Sequence, residues 1–320
     1  MARRIRTSTW AKTFERSFVA MTRTALRANK APAGAGDWIA GIAMGATGAR
    51  RYRLYRPPDV KLGERLPLMV MLHGCGQDAK SFAQSTRMNR IAARERFMVL
   101  YPEQDRLANA QGCWNWFDTR SGRAYGEAEL IMKAIDQVCL LYRVDRTRIA
   151  VAGLSAGASM AALLVTRHPA RFKAVMMHSG IPPGTAHSTI SAVGAMHGLR
   201  PVKPLLATPV TMAALWPPLL VIHGGVDRVV AANNGHAAAQ VWANAAGASP
   251  LKVRTLQRGN RYPMTVTDFK LRSSTVATLV EVGKLGHAWS GGAANQPYSD
   301  GQGPDASRML WAFAARQFSR

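Results

Sequence analysis

Residues 148–160 read Arg-Ile-Ala-Val-Ala-Gly-Leu-Ser-Ala-Gly-Ala-Ser-Met. The apolar run 148–152 has strand length, Gly153-Leu-Ser-Ala-Gly157 is a tight glycine-bounded turn, and 156–167 is a helix-length stretch of small residues. This strand–turn–helix unit repeats its rhythm outward. Upstream lie 51–55 (Arg-Tyr-Arg-Leu-Tyr, ending at Pro57-Pro58), the apolar runs 66–72 (LPLMVML) and 97–101 (FMVLY), and a helical stretch at 126–142. Downstream lie 172–177 (FKAVMM), 219–222 (LLVI), 278–282 (TLVEV) and a closing helix in 304–318. Short apolar runs separated by helices imply a mostly parallel central sheet with helices on both faces, an α/β domain over 50–320. Residues 181–218 break the rhythm with Pro, Gly, Ser and Thr, and are expected to form a cap-like insertion beside the site.

A G-x-S-x-G string is weak alone, but between a strand and a helix it is the nucleophile elbow of the α/β-hydrolase fold. It exposes Ser155 at the carboxyl edge of the sheet, where open α/β sheets bind ligands. A serine hydroxyl needs a base to take its proton and a carboxylate to hold that base's tautomer, in the chain order Ser, acid, His. Asp227 follows the strand ending LLVIHGG, and His287 sits in Gly-His-Ala-Trp at 286–289 after the last strand. Other histidines fit less well. His223 precedes two glycines, His178 ends a strand, His168 precedes Pro169, and His187, His197 and His236 have no strand edge to place them. Asp268 follows a Thr-rich strand-like stretch, while Asp300 and Asp305 break the chain order. Two N–H donors are needed for the tetrahedral oxyanion: Ala156 after the nucleophile, and Cys75 in the loop Leu72-His-Gly-Cys-Gly-Gln77.

With 320 residues, 48% hydrophobic and 19% charged, the chain is neither disordered nor fibrous. Its 42 Lys and Arg against 18 Asp and Glu give +24, of which +10 falls in residues 1–56. The charge forms no dense block and no helix-turn-helix or zinc pattern, so no specific nucleic acid is expected; sequence-independent binding to polyanions at low salt is. Trp10, Phe14, Phe18 and Met21 recur at helical steps among arginines, making 1–30 a basic amphipathic segment suited to a granule or anionic surface, or to packing on its own domain. Residues 31–49 read as a linker. No apolar run is long enough for a transmembrane helix, and charges interrupt the N-terminal stretch where a signal peptide needs its apolar core. Three cysteines exclude a disulfide framework, Cys139 falls in an apolar helix, and one bridge, Cys75 to Cys113, stays open.

Seven ordered blocks then carry a resemblance: LHGCGQ at 72–77, YPEQ at 101–104, CWNWF at 113–117, GLSAG at 153–157, HGGVD at 223–227, GHAWSGG at 286–292 and GPDAS at 303–307. From about residue 51 onward the chain resembles the polyhydroxyalkanoate (PHB) depolymerase and feruloyl or acetylxylan esterase family. The resemblance implies a serine esterase with Ser155 as nucleophile, His287 as base, Asp227 as orienting acid and the Cys75 and Ala156 amides as oxyanion hole, with no metal or organic cofactor. It also implies a Cys75–Cys113 bridge beside the site, less secure in a reducing cytoplasm. Trp114, Trp116 and Trp289 would line a cleft for the alkyl parts of a polyester or small ester, the alternative being core or rim packing. The sequence departs from secreted depolymerases in its missing signal, its missing substrate-binding domain and its basic start. Those departures fit a cytoplasmic or granule-associated enzyme acting on amorphous polymer or oligomers, the alternatives being a secreted enzyme, a feruloyl, acetylxylan or general esterase, and a non-catalytic granule- or polyanion-binding protein.

Overall fold

The structure, a computed structural model, describes residues 32, 34–202 and 216–319. The apolar runs form β3 (Leu66–Leu72), β4 (Met98–Pro102), β5 (Val144–Leu154), β6 (Ala174–His178), β7 (Leu219–Gly224) and β11 (Ser274–Val282). These pair in parallel in the order β4-β3-β5-β6-β7-β11. Antiparallel strands extend both edges: β1 (Asp37–Gly45) and β2 (Gly48–Arg56) beside β4, and β10 (Met264–Leu271) with the short β8 (Ser249–Pro250) and β9 (Arg254–Leu256) beside β11.

Alternate side chains of the central strands enter two separate cores, as the pleat requires. Leu68, Val70, Leu72, Ile149 and Val151 pack under helices α3 (Arg123–Leu141), α4 (Ala156–Arg167) and α6 (Asn233–Ala246). Met69, Met71, Ala150 and Ala152 pack under α1 (Ala79–Thr86), α2 (Met88–Glu95) and α7 (Ala306–Phe318). A sheet covered on both faces explains why the central strands read as continuous apolar runs rather than alternating ones. This is the α/β-hydrolase arrangement expected from the elbow.

Two expectations change. The segment 31–49 is not a linker throughout, because 37–45 is β1, in antiparallel register with β2 from Asp37 opposite Arg56 to Gly45 opposite Gly48. Its glycines hid the strand. A Cβ on Gly41 would lie 2.2–2.5 Å from the Tyr52 ring, so the glycine leaves room for a cross-strand aromatic that supplies the missing packing. The compact unit accordingly begins at Gly34 rather than 50. Within the insertion, 181–202 are ordered around α5 (Thr189–Met196), which joins the loop after β7 through Ala231 N–H to Met196 O (2.8 Å) and the first turn of α6 through Asn234 Nδ2 to Ala195 O (2.9 Å). Residues 203–215 of the insertion and the amphipathic segment 1–30 lie outside the described residues. Among the described residues no helix is long and apolar enough to cross a membrane.

Candidate active site

Ser155 sits between the last residue of β5 and the first of α4, at φ 55° and ψ −122°. A non-glycine residue at positive φ is strained and persists only where its surroundings enforce it. Here its N–H donates to His178 O (2.9 Å), and its carbonyl accepts Ser159 N–H (3.1 Å). The flanking glycines are a steric necessity. A Cβ on Gly157 would lie 2.1 Å from Leu72 O and 2.5 Å from His73 O, and one on Gly153 would lie 2.3 Å from the Gly157 backbone. The Ser155 side chain makes no capping bond to its helix and is partly exposed.

His287 Nδ1 lies 2.8 Å from Asp227 Oδ2, with the Asp227 side chain fully buried and His287 11% exposed. The carboxylate's other oxygen accepts the N–H groups of Val229 and Val230, each at 2.9 Å. Burial pushes the Asp227 pKa up, but the bond and charge of His287 and these two amides outweigh it, so it lies below the usual carboxylate value. An ionised Asp227 accepts only, so His287 carries a proton on Nδ1, and in the neutral ring the lone pair is then on Nε2. Among the described residues Ser155 Oγ has no hydrogen bond to His287, and the two meet indirectly. His178, whose carbonyl holds Ser155, accepts Ser290 N–H on Nε2 (3.1 Å), three residues beyond His287.

Cys75 lies on the loop after β3, whose shape is fixed from several sides. Gly74 N–H donates to Gln77 Oε1 (3.0 Å), Gly76 N–H to Gln111 O (2.9 Å), and Trp114 Nε1–H to His73 O (3.0 Å). Cys75 is disulfide-bonded to Cys113, with Cα atoms 4.3 Å apart. His73 accepts Gln104 N–H on Nε2 (3.1 Å), so its Nδ1–H donates to Gly74 O (2.8 Å). Burial lowers its pKa to about 4, keeping the ring neutral. Among the described residues the N–H groups of Cys75 and Ala156 find no acceptor.

The segment around Cys113 rests on a buried polar cluster that sequence reading missed. Arg50 Nη1 donates to Gln104 Oε1 (2.5 Å), Gln104 Nε2 to Glu127 Oε1 (2.6 Å) and to Cys113 O (3.0 Å), and Asn115 donates to both Glu127 oxygens (2.9 and 2.6 Å). Gln104 and Asn115 stand inside the YPEQ and CWNWF blocks and were findable there. Arg50 and Glu127 carried no local signal, since they acquire a role only when the chain folds.

Two of the three tryptophans expected to line a cleft do not. Trp114 and Trp289 are fully buried; Trp114 lies under Arg50, with its centroid 5.1 Å from the guanidinium carbon, while Trp289 stacks on His178 and donates Nε1–H to Ser307 Oγ (3.1 Å). They brace the loops bearing Cys75 and His287, with no face left for a ligand. Trp116 is 7% exposed, edge-on to Phe117. Of the competing groups, His223 stays beside the pair, its Nε2 lying 3.7 Å from Asp227 Oδ2 while donating its proton to Val230 O (2.9 Å), whereas His236 pairs with Glu281 (2.9 Å) and Asp268 with Arg254 (2.5 Å) away from it.

A family model described as esterase PHB depolymerase matches residues 50–247. The chain belongs to this family. It is 34% identical over 131 residues to poly(3-hydroxyalkanoate) depolymerase C of Paucimonas lemoignei, covering 41% of this chain and 31% of that protein. Feruloyl esterase B of Neurospora crassa is 30% identical over 131 residues, covering 40% and 44%, and acetylxylan esterase A of Aspergillus oryzae is 23% identical over 208 residues, covering 61% and 67%. The match thus spans less than half the length of the first two relatives. Among solved structures, an acetyl xylan esterase from Aspergillus awamori superposes with TM-score 0.61 at 18% identity, over 88% of this chain and 100% of that one. An acylaminoacyl peptidase from Pyrococcus horikoshii gives 0.56 at 15%, over 90% and 42%. At such identities these two neighbours speak for the fold alone.

Proposed function

We propose that this family member is a serine hydrolase of carboxylic esters, acting through an acyl-enzyme on polyhydroxyalkanoate, most simply poly(3-hydroxybutyrate) or its oligomers. The observation that carries the reading is the buried Asp227–His287 pair at 2.8 Å on the same sheet edge as the strained Ser155. In this scheme His287 Nε2 takes the Ser155 Oγ proton as Oγ attacks the ester carbonyl carbon. The carbonyl π electrons move onto oxygen, and the Cys75 and Ala156 N–H groups stabilise that oxyanion. On collapse the ester C–O bond breaks, and His287 returns the proton to the departing alcohol. Water then attacks the acyl carbon with His287 again as base, releasing the acid and restoring Ser155. The substrate choice rests on the 34% identity to a poly(3-hydroxyalkanoate) depolymerase.

A second reading, an esterase of feruloyl or acetylxylan type, has the support of the other two relatives. The two separate by product. Release of 3-hydroxybutyrate from amorphous polymer, lost in Ser155→Ala, supports the first; release of ferulate or acetate from xylan without polymer hydrolysis supports the second. Loss of neither activity in Ser155→Ala would remove both. The Cys75–Cys113 bridge favours an oxidising compartment, and so the secreted alternative over the cytoplasmic one.

A further inference from the structure

The reaction above makes no use of the +24 charge. A cleft of about 980 Å³ gathers eight arginines and two aspartates, and none of Ser155, Asp227, His287, Cys75 or Ala156 lines it. Arg87, Arg90 and Arg94 enter from α2 and its N-cap. Arg254 comes from β9, with Arg258 and Arg261 on the loop to β10, while Arg308 and Arg316 come from α7.

Three of these charges are neutralised by carboxylates. Arg94 pairs with Glu95 (2.7 Å), Arg254 with Asp268 (2.5 Å), and Arg308 with Asp305 (3.6 Å). Arg87 and Arg261 donate only to main-chain oxygens, Arg87 to Gly291 O (2.5 Å) and Arg261 to Gly303 O (2.5 Å) and Gly301 O (3.3 Å), which fixes their forks without cancelling their charge. Arg90, Arg258 and Arg316 are exposed, and their guanidinium groups have no polar partner among the described residues. Five uncompensated guanidinium groups therefore surround one concavity, an arrangement that repels itself until an anion enters.

Geometry narrows the anion. Guanidinium forks match phosphate and carboxylate oxygens two at a time, so one orthophosphate engages about two of the five. The five uncompensated forks come from three separate elements, α2 with its N-cap, the loop from β9 to β10, and α7, a spread that a chain of linked anions covers and a single one does not. Bases would need aromatic platforms, and the one aromatic lining residue, Phe313, is 3% exposed. We infer that this cleft binds a polyphosphate chain, with Arg90, Arg258 and Arg316 supplying the free forks.

The test is fluorescence anisotropy of labelled inorganic polyphosphate with the full chain across a salt series. The native protein is compared with the triple variant Arg90→Glu, Arg258→Glu, Arg316→Glu, and with a control of equal charge change, Arg51→Glu, Arg65→Glu, Arg143→Glu. The cleft variant should bind at least 30-fold more weakly, and its slope of log K against log salt should be smaller by about two. The control should change less than threefold, and hydrolysis of a short p-nitrophenyl ester should be unaltered in both. Equal losses in the two triples, or no binding by native protein, would overturn the inference. So would competition by orthophosphate at equal total phosphate, or equally tight cleft-dependent binding of single-stranded DNA. The single exposed-loop change Arg258→Gln, expected to weaken binding about threefold or more, repeats the test with minimal risk to the fold.

Discussion

His178 accepts the backbone N–H of Ser290 on its ring Nε2 at 3.1 Å, while its own carbonyl accepts the N–H of Ser155 at 2.9 Å. One residue at the end of β6 therefore holds both the strained turn and the segment just past His287. Because Ser290 N–H can only donate, His178 must present a lone pair on Nε2 and carry its proton on Nδ1, toward Ser179 Oγ (3.2 Å). Protonating the ring would turn that acceptor into a donor aimed at another donor.

Acid should therefore unfold this protein earlier than its surface charges suggest. Burial, followed by the nearby His223 and His287, lowers the His178 pKa from 6.5 to about 3, and burial takes His73 to about 4. Below pH 6.5 the unfolded chain takes up these protons and the folded one does not. Stability is thus full above 6.5 and falls as pH drops toward 3–4, at up to about 1.4 kcal/mol per pH unit per histidine. Thermal midpoints measured from pH 7 to 4 should decline with that slope, and His178→Gln should remove about one histidine's share. An unchanged slope in the variant would contradict the assignment.

Most of the scaffold was legible in the sequence because a doubly covered parallel sheet writes each strand as an apolar run, as 66–72 and 148–152 do. The site was legible where chemistry is local: GLSAG contains the whole elbow. It was not legible where a role depends on distant packing. Trp114 and Trp289 looked like ligand surface because tryptophan beside a reactive loop suits either use, and only burial separates the two. Glu127 lies within α3 and gains its role by meeting Asn115 and Gln104. Gly41 disguised β1 because the residue that makes it a good strand position, Tyr52, is on the next strand.

The elbow should tolerate no side chain at Gly157. An alanine methyl would press on Leu72 O and His73 O, both backbone atoms of the strand and loop beside the site. Neither can move without breaking the β3–β5 register, which ends with Leu72 opposite Gly153. Gly157→Ala should cost at least about 2–3 kcal/mol in urea unfolding and abolish ester hydrolysis in whatever folds. Native-like stability would show that the turn has more room than this geometry allows.

The Cys75–Cys113 bridge closes a loop of 38 residues and holds the segment carrying the free Cys75 N–H. Chain-entropy arguments give such a bridge about 4 kcal/mol, so Cys113→Ser or reduction should lower the thermal midpoint clearly. Turnover should fall as well, since the proposed oxyanion donor works only when its position is fixed in advance. Cys139 is buried and unpaired, and modification of it under native conditions should be slow by comparison. A reduced protein with unchanged melting and turnover would mean that the loop is held by its hydrogen bonds alone.

Asp227→Asn tests the proposed chemistry at its most buried point. The native carboxylate accepts from Val229, Val230 and His287, using both oxygens. An asparagine can keep the two amide bonds through its oxygen, which turns its NH₂ toward His287. The ring must then accept on Nδ1 and move its proton to Nε2, the atom that should receive the Ser155 proton. Turnover should drop by about 10⁴ with little change in KM or in fold, read from hydrolysis of a short p-nitrophenyl ester beside the circular dichroism spectrum. His287→Ala should be as damaging, and because both changes disable the same proton transfer, the double variant should be little worse than either alone. Activity within tenfold of native in Asp227→Asn would show that some other group orients the base.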